Sequence, residues 1–136
     1  MRLLCERLHR GSDLKLEIVR IAKQNNIPGA CIVNAVGSLS ELAIRTDVKN
    51  NKPIIKNYGK VEIVSLIGTI GENGTHVHIH IAGGLQNGNV VGGHLIEGCM
   101  VHTTVELMLL ITNEYIFKTE LDSETGFDEL KIVENN

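Results

Sequence analysis

Tryptophan is absent from this 136-residue chain, proline occurs twice, and the aromatic rings are limited to two tyrosines and two phenylalanines. So few rings offer little platform for stacking unpaired bases. Scarce proline beside 14 glycines argues for tight turns between strands and against a disordered tract. The three cysteines, Cys5, Cys31 and Cys99, are odd in number and contain no Cys-x-x-Cys pair. A disulfide framework is thereby disfavoured, and a reducing, cytoplasmic setting fits best. Residues 1–10 carry charge throughout and do not resemble a secretory leader. No apolar run approaches the length of a membrane helix, so no membrane partner is expected. A basic stripe is missing as well: the 13 Lys and Arg are scattered, and the formal net charge is -3. A protein that holds DNA by neutralising phosphates needs such a stripe, so composition makes DNA binding doubtful.

What the chain does contain is an ordinary globular composition, 43% hydrophobic and 21% charged, of a length that suits one domain over residues 1–136. Leu14, Ile18, Ile21 and Ala22 recur at helical spacing behind Ser12 and Asp13, either of which can cap a helix. The spacing predicts a helix over 13–24, stopped by Asn25-Asn26 and Pro28-Gly29. Everything else reads as strand. Segments are expected at 2–8, 30–36, 41–45, 53–58, 61–70, 75–82, 90–94, 100–111, 115–121 and 129–133. A turn is expected at Gly37-Ser38, a polar turn-like stretch over 47–52, and an edge position for the strand that carries Pro53. One early helix against many strands predicts an α+β fold, a mainly antiparallel sheet with one principal helix packed on it.

Six histidines are present, and three alternate with apolar residues in Thr75-His76-Val77-His78-Ile79-His80-Ile81. Residues two apart on a strand share a face, so His76, His78 and His80 point away from Val77, Ile79 and Ile81. Their Cα atoms fall roughly 6.5–7 Å apart, close enough for two imidazoles to meet one ion. Two ligands make a weak site. His94, after Gly92-Gly93, supplies a third if the loop over 83–89 returns the chain beside the histidine strand. The two glycines would permit a close backbone approach or a positive φ. Three neutral imidazoles and an open position suit Zn²⁺, and Ni²⁺ or Co²⁺ less selectively. Equally, a histidine-bearing sheet face can simply meet solvent or another subunit.

Five fragments occur in the order and at the spacing of the PPC domain shared by plants and prokaryotes. They are Gly11-Ser12-Asp13-Leu14, Asn34-Ala35-Val36-Gly37-Ser38-Leu39, His78-Ile79-His80, Gly92-Gly93-His94-Leu95 and Thr103-Thr104-Val105-Glu106. The chain resembles that family from about residue 2 to residue 133. The resemblance implies a sheet with a packed helix, assembled as a homotrimer, and a divalent metal, zinc foremost, on His78, His80 and His94. Counted back from Gly92-Gly93-His94, the pair is His78 and His80, with His76 an extra residue on the same face. A two-residue insertion in the loop would make the pair His76 and His78 instead. The family is often given a DNA-binding label, and its plant members carry a basic AT-hook beside this domain. No AT-hook is present here, and that hook is the part with a physical reason to hold DNA. In the plant proteins the domain itself serves self-association and partner contacts.

Glu106, amid apolar neighbours, could be a general base or could orient a ligand histidine, or could equally partner a buried polar group. Glu97 reads as a solvated turn residue and Cys99 as a buried thiol, not a ligand. His9 and His102 read as surface or hydrogen-bonded residues. Arg45 reads as a surface residue or a cross-strand partner. Asn34 and Ser38 could bind a ligand or stabilise the Gly37 turn. Three functions compete on these residues. The first is a small homotrimeric binding or regulatory protein whose metal site takes a protein partner or a small anionic ligand. The second is a metal-dependent hydrolase using zinc-bound water with Glu106 or Glu97 as base. The third is a DNA-binding protein without an AT-hook.

Overall fold

The computed structural model describes residues Met1–Asn136. Strand β1 (Arg2–His9) leads into helix α1 (Leu14–Gln24), and eight strands follow. These are β2 (Gly29–Lys49), β3 (Lys52–Tyr58), β4 (Val61–Gly71), β5 (His76–Gly84), β6 (Val90–Leu95), β7 (Met100–Thr112), β8 (Tyr115–Leu121) and β9 (Asp128–Glu134). The fold is α+β, with every strand pair antiparallel.

Asp13, not Ser12, caps α1: its carboxylate accepts the backbone N–H groups of Lys15 and Leu16. Its second oxygen accepts Gly98 N–H at 2.7 Å, which ties the helix start to the loop after β6. The helix buries Leu14, Ile18, Ile21 and Ala22 completely. They meet Leu107, Leu109, Ile111, Ile70, Ile79 and Ile81 from the inner face of the sheet in one apolar cluster.

The main sheet runs β1-β7-β2-β4-β5-β6, with β3 on β2. The expected turn at Gly37-Ser38 is not there: β2 is one continuous strand of 21 residues. Gly37 instead marks an irregularity in the pairing with β7, where a Cβ would stand 2.1 Å from the Thr104 carbonyl oxygen. The glycine serves a close backbone approach, and the chain does not reverse. Ser38 is bonded to Thr103 across β2–β7, Oγ to Oγ1 at 2.9 Å, and is not a turn residue. The stretch over 47–52 is mostly strand. Only Asn50 and Asn51 turn, both with positive φ, as a two-residue hairpin loop requires. β3 pairs only with β2, so Pro53 does sit on an edge strand.

The bulges let β2 bend and serve two neighbourhoods. Its first half lies between β7 and β4. Further on, Ile44 and Arg45 pair with Leu95 and His94 of β6. Since β6 also pairs β5, and β5 pairs β4, the strands β2, β4, β5 and β6 close on themselves. That closure brings β6 and its histidine between β5 and β2. Strands β8 and β9 form a separate two-stranded sheet. Phe117 anchors it, donating its N–H to the Pro28 carbonyl at 2.9 Å and packing over Gly29 and Gly71.

Candidate metal centre

Across the β5–β6 pair, His80 stands directly opposite His94. His78 lies two residues from His80 on the same face of β5. The rings of His80 and His94 are 4.4 Å apart between centroids, those of His78 and His80 5.1 Å, and those of His78 and His94 5.4 Å. One nitrogen from each ring lies within 4.8 Å of the other two. A tetrahedral ion with Zn–N bonds near 2.0–2.1 Å holds its nitrogens about 3.4 Å apart. Modest rotation of the exposed His78 and His80 side chains covers that difference, so the donor set fits a divalent ion.

Gly92 and Gly93 act through close approach, since neither has positive φ. A Cβ on Gly92 would stand 2.9 Å from the Ile81 carbonyl oxygen, and one on Gly93 2.6 Å from that of Arg45. Only glycine lets β6 lie this tightly between β5 and β2, which sets the spacing of His94 from His80.

The electrostatics favour the neutral form of His94 and His80. Burial, then the Arg45 charge, then His80 and His78, together lower His94 to about 4. His80 is lowered by burial, then by His78 and Arg45. Neutral imidazoles are the form that ligates a metal.

His76 shares the face of His78 and His80 but not their company. It is only 4% exposed, and both ring nitrogens are taken, Nε2 by the Thr69 hydroxyl and Nδ1 by the Thr119 hydroxyl, each at 2.9 Å. It clips strand β8 to the main sheet. Of the two registers open in the sequence, the structure gathers His78, His80 and His94. Glu106 also stands apart within the chain. It is exposed on β7, beside Arg7 of β1 and Val36 of β2, and both β2 and β4 separate it from β5. Glu97 is exposed in the loop after β6. Cys99 is buried and donates its thiol to the Ala43 carbonyl, and burial raises it to about 11, so it offers no thiolate. His9 is exposed and His102 half-buried.

Two features escape a reading of the sequence. Arg45 is the β2 partner of His94, so a guanidinium flanks the histidines. A cleft of about 740 Å³ opens beside them, lined by His78 and His94, by Arg45 and Lys15, and by Thr119 and Phe127 of the β8–β9 hairpin. Both depend on strands distant in sequence, and no local pattern announces them.

The comparisons with known proteins agree with this architecture. In Synechococcus sp. (strain JA-2-3B'a(2-13)), the bifunctional protein GlmU is 36% identical over 126 residues, 93% of this chain. This chain spans about one fifth of that relative's length, 19%. A solved structure of a hypothetical protein from Salmonella cholerae-suis superposes with a TM-score of 0.91 at 29% identity, covering 99% of this chain and 95% of that one. A structure of the metal-containing protein AF0104 from Archaeoglobus fulgidus gives 0.82 at 25% identity, covering 96% and 94%. A third, from Ralstonia eutropha JMP134, bears a provisional DNA-binding name. It shares the fold with a TM-score of 0.84 at 22% identity, covering 93% of this chain and 89% of that one. The model of the Plants and Prokaryotes Conserved (PCC) domain matches residues 1–113, up to the last residues before β8, and with this fold around it the chain belongs to that family.

Proposed function

We propose that this protein is a small homotrimeric binding or regulatory protein that holds a divalent metal, zinc foremost, on His78, His80 and His94. The convergence of those three imidazoles carries the reading. Three neutral nitrogen donors without a carboxylate suit zinc and leave a fourth position for water or a ligand. The ion would supply a Lewis-acidic centre there. The naming of the Archaeoglobus protein as metal-containing supports the same reading. Presence of a similar stretch within a longer bifunctional protein favours an accessory module over the seat of a reaction.

A second copy of the chain is the partner best suited to the outer face of the sheet. Val33, Val36, Val64 and Ile67 are each more than half exposed there, and Ile67 is the direct β4 partner of His80. An apolar patch of this kind on a small protein is ordinarily covered. Covering it would also exclude water from one side of the histidines. Cys5, Cys31 and Cys99 are all unpaired, in keeping with a reducing cytoplasm. Within one chain the hydrolase reading lacks a base, because Glu106 and Glu97 both lie outside the histidine group. DNA binding finds no support in a net charge of -3.

The test is elemental analysis of protein purified without a polyhistidine tag. About one metal per chain is expected in the wild type, and none in His78→Ala or His94→Ala. A metal content that neither substitution changes would remove the proposal.

A further inference from the structure

We infer that Arg45 and the His78–His80–His94 group form a single binding site for a small oxyanion, of the carboxylate or phosphate class. The inference rests on the metal reading above and names the ligand chemistry of that site.

Arg45, His94 and His80 occupy one row across β2, β6 and β5 as direct register partners, so their side chains leave the sheet on the same face. Arg45 is half-buried, yet its guanidinium has no carboxylate partner: the ion pairs of the chain are Arg20–Glu17, Lys118–Glu72 and Lys131–Glu120. The cleft beside it also carries Asp47, Asp128 and Glu129. Asp47 is engaged with the Val48 N–H and Glu129 with the Thr125 hydroxyl, and none of the three pairs with Arg45. Lys15 adds a second cation to the same cleft.

A cation next to a cation site needs a reason. Alone, the guanidinium repels a divalent ion and weakens its binding. An oxyanion shared between them turns that repulsion into attraction on both sides. The planar fork of arginine presents paired N–H donors, which suit the two oxygens of a carboxylate or two of a phosphate. The cleft leads to His78, His94 and Arg45 together, so an anion can reach all of them from solvent.

By linkage, an anion that needs both Arg45 and the metal must tighten retention of the metal. The experiment titrates zinc-loaded protein with acetate and with inorganic phosphate by calorimetry, and measures zinc affinity with and without each anion. The wild type, Arg45→Ala, Arg45→Gln and Arg45→Lys are compared. Wild type is expected to bind at least one of the two at millimolar concentration, and the better one assigns the class. Arg45→Ala and Arg45→Gln are expected to keep about one zinc per chain but to bind the anion roughly tenfold or more weakly, as loss of a charge-assisted contact implies. They should hold zinc more tightly than wild type in anion-free buffer, and the anion should no longer improve that affinity. Arg45→Lys should recover part of the coupling. Should a variant fold poorly, Arg45→Gln keeps much of the stem packing and still reads the charge. Zinc-loaded wild type that binds neither anion, or anion binding indifferent to Arg45, overturns the inference while leaving the metal reading intact. Failure of the wild type to take up zinc overturns both.

Discussion

His80 and His94 face one another across the β5–β6 pair with ring planes at 76°, while His76, on the same strand face as His80, is sealed by two threonines. Two histidines of one His-x-His-x-His run therefore do different work. His80→Ala should abolish metal retention, whereas His76→Ala should keep about one metal per chain. The His76 change should instead cost about 1–3 kcal/mol of stability, because it removes a buried side chain, breaks its hydrogen bonds to Thr69 and Thr119, and frees β8. Urea unfolding and hydrogen exchange over β8 would measure this. Loss of metal from His76→Ala with β8 unaffected would reverse the assignment.

Gly93 sets the distance between β6 and β2. A Cβ there would lie 2.6 Å from the Arg45 carbonyl oxygen, so Gly93→Ala must push the strands apart. His94 moves with β6. Zinc affinity should fall by at least about tenfold, although no ligand has been altered. Gly88→Ala supplies the control for a loop glycine whose Cβ would meet nothing within 4 Å, although its φ of +86 makes some strain unavoidable.

Acid should destabilise the metal-free protein in a defined window. His94 is held to about 4 in the native state, and His76 and His80 are also lowered. An unfolded chain takes up protons on these rings near pH 6.5, which the native state refuses until lower pH. Stability contributed by the neutral rings is thus fully present above about pH 6.5 and declines as pH falls toward 4. Denaturation midpoints of metal-free protein at several pH values would show the slope, and His94→Leu should flatten it.

The exposed Val64 and Ile67 provide the assembly test. Val64→Glu or Ile67→Lys places a charge on the outer face and should convert a trimer to smaller species, read by light scattering. A wild type that is monomeric at micromolar concentration would refute the trimer.

Much of the fold was legible from residue pattern. The Leu14, Ile18, Ile21 stripe behind Asp13 marks the helix because capping and helical periodicity are local. Alternation in His76–Gly84 and Met100–Thr112 marks strands for the same reason. Gly37 misled, since a glycine that turns a chain and a glycine that lets two backbones touch look alike in one dimension.

From sequence alone come the strand-rich α+β class, the family resemblance, and His94 with a histidine pair in either of two registers, because periodicity, caps and motif spacing are properties of neighbouring residues. Tertiary structure alone decided that β2 continues past Gly37 and bends to meet β6, that His76 is closed off by Thr119 of a distant hairpin, and that Arg45 stands beside His94. Each of these is a register between strands far apart in the chain. Register is set by which faces can pack and where backbones can approach, and neither quantity is written in any single segment.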